Sequence, residues 1–297
     1  MEVRRVPEIA YSGAMGSTPE KTQDWVRRYY AETTSLIATN WGGAVHAFHL
    51  GLDDGTCKSR DEALEASNRY LAERAGATTG TRVLDAGCGV GGSSIWLALR
   101  CGARVVGITI APEQVAMARQ LASKAGVASQ VQFEEMDFAA TTFAPGSFEV
   151  VWNIESMCHA FDKQDYLRHV HELLLPGGKF VCLDMFSVPG GDAETVRAMC
   201  QNWSLTSLPS VDDTREYLRV AGFVDVESQD LTAQVRRPVL ALKAFAENTR
   251  RMLAVEKAIT GSSSDVYEAH VLGALACAEG VENGSFAYAY VGGTRPT

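Results

Sequence analysis

The chain has 297 residues, 46% of them hydrophobic and 21% charged, so it is long enough to bury a sizeable core. Its formal net charge of −9 gives no general attraction to nucleic acid or anionic membranes, and we predict neither as a partner. The sequence has no apolar run of about 18 residues and no signal-type segment, which predicts a cytoplasmic protein. Seven cysteines without C-x-x-C spacing favour free thiols over disulfides or zinc.

The first predicted elements are a helix over 22–36 and an irregular aromatic segment after it. Tyr29 and Tyr30 lie on the helix, whose apolar and aromatic residues recur at near-helical spacing. The segment that follows contains Trp41, His46 and His49. Segments of this composition often line a pocket. The alternatives are helix packing for the tyrosines and structural positions for the histidines.

A glycine-rich turn at 83–92 lies between a predicted buried strand and a predicted helix. Gly87, Gly89 and Gly92 match the G-x-G-x-x-G pattern of dinucleotide-binding proteins, which alone is a weak signal. Asp85 argues against a dinucleotide, because its carboxylate would face the place where a pyrophosphate docks. The ribose-binding acid expected about 20 residues later is missing from 105–110. An acid before the glycines instead fits S-adenosylmethionine, which carries an ammonium group and a sulfonium.

Predicted strands and helices alternate after this turn. The strands cover 104–108, 130–135, 148–153 and 179–184, and the helices cover 112–124 and 163–174. This alternation indicates right-handed crossovers and a parallel sheet covered on both faces. Ligands of such sheets bind at the carboxyl ends of the strands.

Several polar side chains follow those strand ends. We expect Thr109 and Gln114 to hydrogen-bond a ribose. Asp137 is placed to accept from an adenine amino group, and Phe138 to pack on the adenine ring. Each of these residues taken singly could equally be a helix cap or a turn former.

The region after 188 predicts helices and two further strands. The helices cover 192–201, 211–221, 239–258 and 264–278, and the strands cover 223–231 and 286–291. Two arginine pairs, at 236–237 and 250–251, could bind a diphosphate, although such pairs are more often solvated helix faces. The added helices are expected to cap the site.

Three stretches resemble the class I S-adenosylmethionine-dependent methyltransferases. They are the run at 83–92, Met136-Asp137-Phe138, and the Leu-Leu-Leu-Pro-Gly-Gly-Lys run at 173–179. The resemblance implies a Rossmann-like, doubly wound α/β fold with a mostly parallel seven-stranded sheet and an antiparallel last strand. It implies N-terminal lid helices at the start and inserted cap helices towards the end. The predicted division is an arm and lid segment over 1–58 and a methyltransferase domain over 59–297, with the cap at about 188–282.

Tyr29-Tyr30 followed by Trp41-Gly42 resembles the lid of one branch, which contains sterol, tocopherol and isoprenoid-diphosphate C-methyltransferases and cyclopropane-fatty-acid synthases. The resemblance implies that Tyr30 closes over the methionine end of the cofactor. Thr109-Ile110 and Gln114 resemble the substitute that related branches use for the missing ribose acid. The predicted cofactor contacts are Tyr30, Asp85, Gly87, Gly89, Thr109, Ile110, Gln114, Asp137, Phe138 and Asn153.

Chemistry is expected at 151–161, after the fourth strand. Methylation of an oxygen or nitrogen needs alignment and one base. Methylation of an alkene carbon creates a carbocation, which also needs aromatic faces. Glu155, flanked by Trp152 and Phe161, supplies that combination. The Trp-Asn-x-Glu-Ser run at 152–156 and the 284–288 run resemble geranyl-diphosphate C-methyltransferases, which implies that Glu155 is the base.

Other roles for these side chains stay open. Glu155 could bind the ammonium group of the cofactor or cap a helix, and His159 could orient Glu155, contact a phosphate or be structural. The predicted catalytic residues are Glu155, His159 and Tyr30, and the predicted substrate-binding residues are Trp41, His49, Trp152 and Phe161.

We therefore predict a methyltransferase that acts on a small natural product, in its sharpest form by C-methylation of a prenyl chain or prenyl diphosphate. The alternative on the same scaffold is O- or N-methylation. A dinucleotide oxidoreductase and a non-catalytic cofactor-binding protein are the competitors from other classes. No dedicated metal site is predicted, but a diphosphate acceptor would bring Mg²⁺. A homo-oligomer is left open.

Overall fold

The computed structural model describes residues 19–40 and 43–297, except for the side chains of 19–22, 36, 39 and 40. Its centre is a seven-stranded sheet with the strand order β3-β2-β1-β4-β5-β7-β6. The strands are β1 (Arg82–Ala86), β2 (Arg104–Thr109), β3 (Val131–Glu135), β4 (Phe148–Ile154), β5 (Leu174–Ser187), β6 (Val224–Asp230) and β7 (Phe286–Thr294).

Six strands run in the same direction, and β7 runs antiparallel to them. The parallel pairs include β1 with β2 and β1 with β4, where Val83 lies opposite Val105 and Val150. β7 runs antiparallel to both β5 and β6. The chain order reverses beside β1, so the carboxyl ends of β1 and β4 border a crevice, the usual ligand site of such sheets. The predicted α/β fold class is confirmed.

Helices cover both faces of the sheet. They are α1 (Pro19–Asn40), α2 (Arg60–Ala75), α3 (Gly92–Cys101), α4 (Pro112–Lys124), α5 (Lys163–Leu173), α6 (Ala193–Asn202), α7 (Val211–Val220), α8 (Thr232–Thr260) and α9 (Asp265–Asn283). Local chemistry determines several of their ends. Ser59 and Asp162 accept hydrogen bonds from backbone N–H groups of the first turns of α2 and α5, and Gly76 ends α2 in the left-handed conformation.

Two apolar clusters form the core, one on each face of the sheet. Trp152 and Val181 belong to the larger cluster, and Tyr166 and Phe180 belong to the smaller one. Full burial of such a side chain contributes about 1.5–3 kcal/mol. These clusters pack against the two faces of the strands whose ends border the crevice.

Helix α8 begins seven residues before the predicted 239–258 helix, and Pro238 lies within it. A proline lacks the N–H that would bond the carbonyl four residues earlier, which here belongs to Gln234. That carbonyl accepts instead from Asp53 N at 2.8 Å. A contact from a distant segment thus satisfies the group that proline leaves unpaired.

Helices α8 and α9 lie between β6 and β7 in the chain, and α6 packs on α9. Helix α1 contacts α4 and α9. The predicted lid segment over 1–58, the cap at about 188–282 and the domain boundaries stay predictions. Among the described helices, none has the length and apolar character needed to cross a bilayer.

Candidate active site

A cavity of about 440 Å³ lies at the carboxyl ends of β1, β2, β4 and β5. Helix α1 and the 46–49 segment contribute its cover, and α6 and α9 contribute the far wall. The site therefore combines residues from both ends of the chain. Most predicted site residues line it: Tyr30, His49, Asp85, Gly87, Gly89, Thr109, Ile110, Gln114, Asp137, Phe138, Glu155, His159 and Phe161.

The glycine turn after β1 packs tightly against two other segments. Gly87 has φ +88°, and a Cβ there would lie 2.5 Å from the Ser156 Cβ. A Cβ on Gly92 would lie 2.5 Å from the carbonyl oxygens of Val45 and His46. Side chains at these positions would displace the turn or the segment above it.

Asp85 supplies a buried negative charge to the cavity. Ser94 Oγ donates to Asp85 Oδ2 at 2.6 Å. Burial raises the pKa of the Asp85 carboxyl to about 6, because the charged form loses its hydration. No Lys, Arg or His of the described chain forms an ion pair with it. The ammonium group of a ligand would replace the hydration that the buried carboxylate has lost. Asp85 therefore fits the methionine end of S-adenosylmethionine.

Thr109 and Gln114, the two side chains predicted to contact the ribose, are hydrogen-bonded to each other, and Gln114 is also hydrogen-bonded to α1. Thr109 Oγ1 donates to Gln114 Oε1 at 2.6 Å, and Gln114 Nε2 donates to Thr34 Oγ1 at 3.2 Å. Both Thr109 and Gln114 line the cavity. Their remaining hydrogen-bonding capacity can serve a ribose, and they connect that position directly to α1.

The predicted adenine contacts lie at the end of β3. Asp137 Oδ1 accepts from Ala139 N at 2.9 Å, and its other oxygen accepts from Gln23 of α1. The ring of Phe138 packs edge-on against Tyr166, with ring centroids 4.9 Å apart. Tyr166 thus supports Phe138 at the cavity wall.

Glu155 follows β4 directly and has a left-handed backbone with φ +49°. Its Oε1 accepts from Leu50 N at 2.9 Å and from Tyr288 Oη at 2.8 Å. Burial, the largest effect, raises the pKa of its carboxyl to about 7, and the charge of Asp184 adds to the shift. A carboxyl with a pKa near neutrality is well suited to take up a proton during turnover.

Two hydrogen-bonded tyrosine–histidine pairs join α1 to α9 and to the segment that follows β4. His159 Nδ1 lies 3.2 Å from the Ser204 carbonyl, which can only accept, so Nδ1 carries the proton. His159 Nε2 then accepts from Tyr30 Oη at 3.0 Å. Burial lowers the pKa of His159 to about 4, so the ring is neutral at pH 7. Tyr29 Oη lies 2.5 Å from Nδ1 of His270.

The structure corrects two predicted contacts. Trp152 is fully buried in the larger core cluster and does not line the cavity, because its position on β4 directs the ring into the layer beneath. Asn153 is also absent from the lining. Its amide nitrogen donates to the Ala86 carbonyl at 2.9 Å, and its Oδ1 accepts from Tyr166 Oη. It ties β4 to β1 behind the cavity wall. Trp41 lies outside the described residues.

Trp152→Ala is expected to lower the free energy of unfolding by about 3–5 kcal/mol, because it opens a large void in the core. Trp152→Phe should retain the KM for the acceptor, since the indole does not reach the cavity. Urea denaturation and steady-state kinetics measure the two effects. A raised acceptor KM in a fully folded Trp152→Phe protein would restore the substrate-binding role.

Other residues at the site were given no role by the sequence. Tyr288 is fully buried behind Glu155, to which its hydroxyl donates. Trp203 and His270 line the cavity and stack on each other, with ring centroids 6.4 Å apart. Asp184, whose pKa burial raises to about 6, also lines the cavity. It closes the predicted 179–184 strand and was for that reason a strand-end candidate, although no role was assigned to it. Trp203 and His270 lie on inserted helices, where periodicity indicates only that a helix forms.

The fold, glycine turn and buried carboxylate together define a protein that binds a cationic, nucleoside-linked cofactor at its strand ends. A methyltransferase domain family matches residues 83–178. The chain is 32% identical over 222 residues to 27-O-demethylrifamycin SV methyltransferase of Amycolatopsis mediterranei, covering 73% of this chain and 79% of that protein. It is 33% identical over 229 residues to 2-methyl-6-phytyl-1,4-hydroquinone methyltransferase of Synechocystis sp., covering 74% and 67%.

A solved structure of geranyl diphosphate C-methyltransferase from Streptomyces coelicolor A3(2) superposes with a TM-score of 0.70 at 19% identity. The superposition covers 94% of this chain and 99% of that one. The chain belongs to the class I S-adenosylmethionine-dependent methyltransferases, the family of these relatives. It is an S-adenosylmethionine-dependent methyltransferase of the natural-product type.

Proposed function

We propose that this enzyme methylates an alkene carbon of a prenyl chain and that Glu155 is the base that removes the proton afterwards. The observation that carries the proposal is the Glu155 carboxyl. It lines the cavity, takes two hydrogen bonds on one oxygen, and has a pKa raised by burial to about 7.

The bound cofactor supplies an electrophilic methyl group on a sulfonium. Transfer to an alkene would break the bond between the methyl carbon and sulfur, release the neutral thioether S-adenosylhomocysteine and leave a carbocation on the acceptor. The ionised Glu155 takes the proton whose loss restores the double bond. Aromatic rings of Tyr29, Tyr30 and Trp203 line the cavity and can stabilise that cation through their faces. The same walls keep water from the cation.

The charge of the cavity favours an uncharged prenyl chain over a prenyl diphosphate. Carboxylates that line it are Asp85, Asp137, Glu155, Asp162, Asp165 and Asp184. Their negative charges disfavour an anionic acceptor. Arg237, from one of the arginine pairs, bonds Asp53 and the Cys57 carbonyl at the surface. A diphosphate acceptor would require Mg²⁺, the ion present in the Streptomyces coelicolor structure.

O-Methylation is the second candidate function, and one observation favours it. His159 is neutral and accepts a hydrogen bond from Tyr30 through Nε2. An acceptor hydroxyl that replaces Tyr30 would meet the same nitrogen, which could take its proton. N-Methylation fits the same cavity, since carboxylates attract an amine.

The test is to incubate the enzyme with S-adenosylmethionine labelled in its methyl group and a panel of acceptors. The panel contains prenylated aromatics, sterols, prenyl diphosphates with and without Mg²⁺, and phenols. We expect label on carbon of an uncharged prenylated acceptor. We also expect kcat/KM to rise with pH through about 7, since the base is active only when ionised. Label found only on oxygen or nitrogen would contradict C-methylation.

A further inference from the structure

The peptide that joins His49 to Leu50 lies directly behind Glu155. Its N–H donates to Glu155 Oε1 at 2.9 Å. The same 49–52 segment is attached to α2 by a bond from Leu52 N to the Ala63 carbonyl at 2.9 Å. Gly51, with φ +92°, allows this close approach, because a Cβ there would lie 3.0 Å from the Ala63 backbone. The direction of the Leu50 N–H therefore depends on how this segment sits against α2.

Arg60 binds the other side of that peptide. Its Nη2 donates to the His49 carbonyl at 2.8 Å, and its Nη1 donates to the Leu50 carbonyl at 3.0 Å. The His49 carbonyl and the Leu50 N–H belong to one peptide group. A continuous chain of hydrogen bonds thus runs from the guanidinium through this peptide to Glu155. Each bond in such a chain polarises the next and strengthens it.

Arg60 occupies an unfavourable place for a cation. It is the first residue of α2, where the helix dipole disfavours positive charge. Burial also lowers the pKa of its guanidinium to about 10. The helix dipole and burial both disfavour a positive charge at this position. A cation that is present despite both indicates a function for it nearby.

We propose that Arg60 is a positioning residue for Glu155, which it orients through the peptide between His49 and Leu50. This inference rests on the proposed role of Glu155 as base. The fork of the guanidinium matches the two carbonyls, so a lysine cannot replace both bonds. The positive charge also favours the ionised carboxylate across the peptide.

Other ionisable groups around Glu155 come from five further elements. Asp184 of β5 raises the pKa of Glu155, and the hydroxyl of Tyr288 on β7 lowers it. Tyr30 of α1, Cys158 of the short turn before α5 and Cys277 of α9 also face it, each with a pKa raised by burial, so they are uncharged at neutral pH. Arg60 is the cation among the groups that act on Glu155 in the described chain. Its loss should move the pKa of Glu155 upward.

The test compares Arg60→Gln and Arg60→Lys with Arg69→Gln, an exposed arginine on the same helix. Arg60→Gln should lower kcat by about 10- to 100-fold and shift the rising limb of the pH profile to higher pH, with the Kd for S-adenosylhomocysteine unchanged. Arg60→Lys should lower kcat and leave the limb near its original pH. Arg69→Gln should match the wild type.

The carboxyl of Glu155 can be followed directly by ¹³C NMR on protein labelled at glutamate, with Glu155→Gln identifying the resonance. A higher titration midpoint in Arg60→Gln would support the inference, even if Glu155→Gln kept activity and the base proposal failed. If Arg60→Gln kept the wild-type kcat and an unshifted titration midpoint while Glu155→Gln was inactive, the inference about Arg60 would be overturned. The proposal that Glu155 is the base would still stand. If Arg60→Gln fails to fold, Arg60→Lys decides: a wild-type kcat overturns the inference and a reduced kcat supports it.

Discussion

Glu155→Gln is expected to lower kcat by about 10²- to 10⁴-fold, the contribution of a positioned general base. Glutamine has nearly the same shape, and its carbonyl oxygen can still accept from Leu50 N and Tyr288 Oη. The fold and the cofactor site should therefore persist. Turnover is measured with labelled S-adenosylmethionine, and calorimetry with S-adenosylhomocysteine measures cofactor binding.

Glu149→Gln is the matched control for this substitution. Glu149 lies on β4, the strand that ends just before Glu155. Its side chain pairs with Arg82 at the surface, away from the cavity. Its loss should leave kcat unchanged. Substantial turnover by Glu155→Gln would argue that the acceptor is already a good nucleophile, which is the O- or N-methylation alternative.

Asp85→Asn is expected to weaken cofactor binding by about 1.5–3 kcal/mol, the range for a hydrogen bond to a charged group. That corresponds to about a 10- to 150-fold higher Kd. The Asp85 carboxyl is buried and bonded to Ser94, so an asparagine fits the same space while the charge that would face the ligand ammonium disappears. Titration calorimetry with S-adenosylhomocysteine measures this loss.

Glu135→Gln serves as the comparison, since Glu135 is an exposed carboxylate at the end of β3. We expect its Kd to equal that of the wild type. An unchanged Kd in Asp85→Asn would mean that the ammonium group binds elsewhere, for instance at Asp184, and would remove the reason for reading Asp85 as a cofactor ligand.

The strands and the glycine turn could be predicted from the sequence because their signals are local. Helix α4 was predicted with the bounds that the structure has, since Pro112 opens it and its apolar residues keep helical spacing. The start of α8 was misplaced because proline usually ends or begins a helix. Here the freed Gln234 carbonyl has a partner, Asp53 N, 181 positions away in the chain and invisible to any local pattern.

Side-chain direction was the other source of error. Trp152 and Glu155 lie three residues apart in a run that resembles one active-site motif, yet only Glu155 lines the cavity. Side chains alternate across a strand, so Trp152 enters the core while the residues beyond the strand end turn towards the ligand. The resemblance of the run did not distinguish these two positions.

By itself, the sequence determined the fold class, the family and the identity of the methyl donor. The fold class follows from the alternation of strands and helices, and the family follows from the runs at 83–92, 136–138 and 173–179. The methyl donor follows from Asp85 and the glycines after it, and each of these signals is local in the sequence. The tertiary structure alone decided what surrounds the acceptor. Glu155 meets Leu50 and Tyr288 across separations of 105 and 133 residues, and Tyr29 meets His270 across 241. Contacts over such distances arise only when the whole chain folds, because no local propensity encodes them.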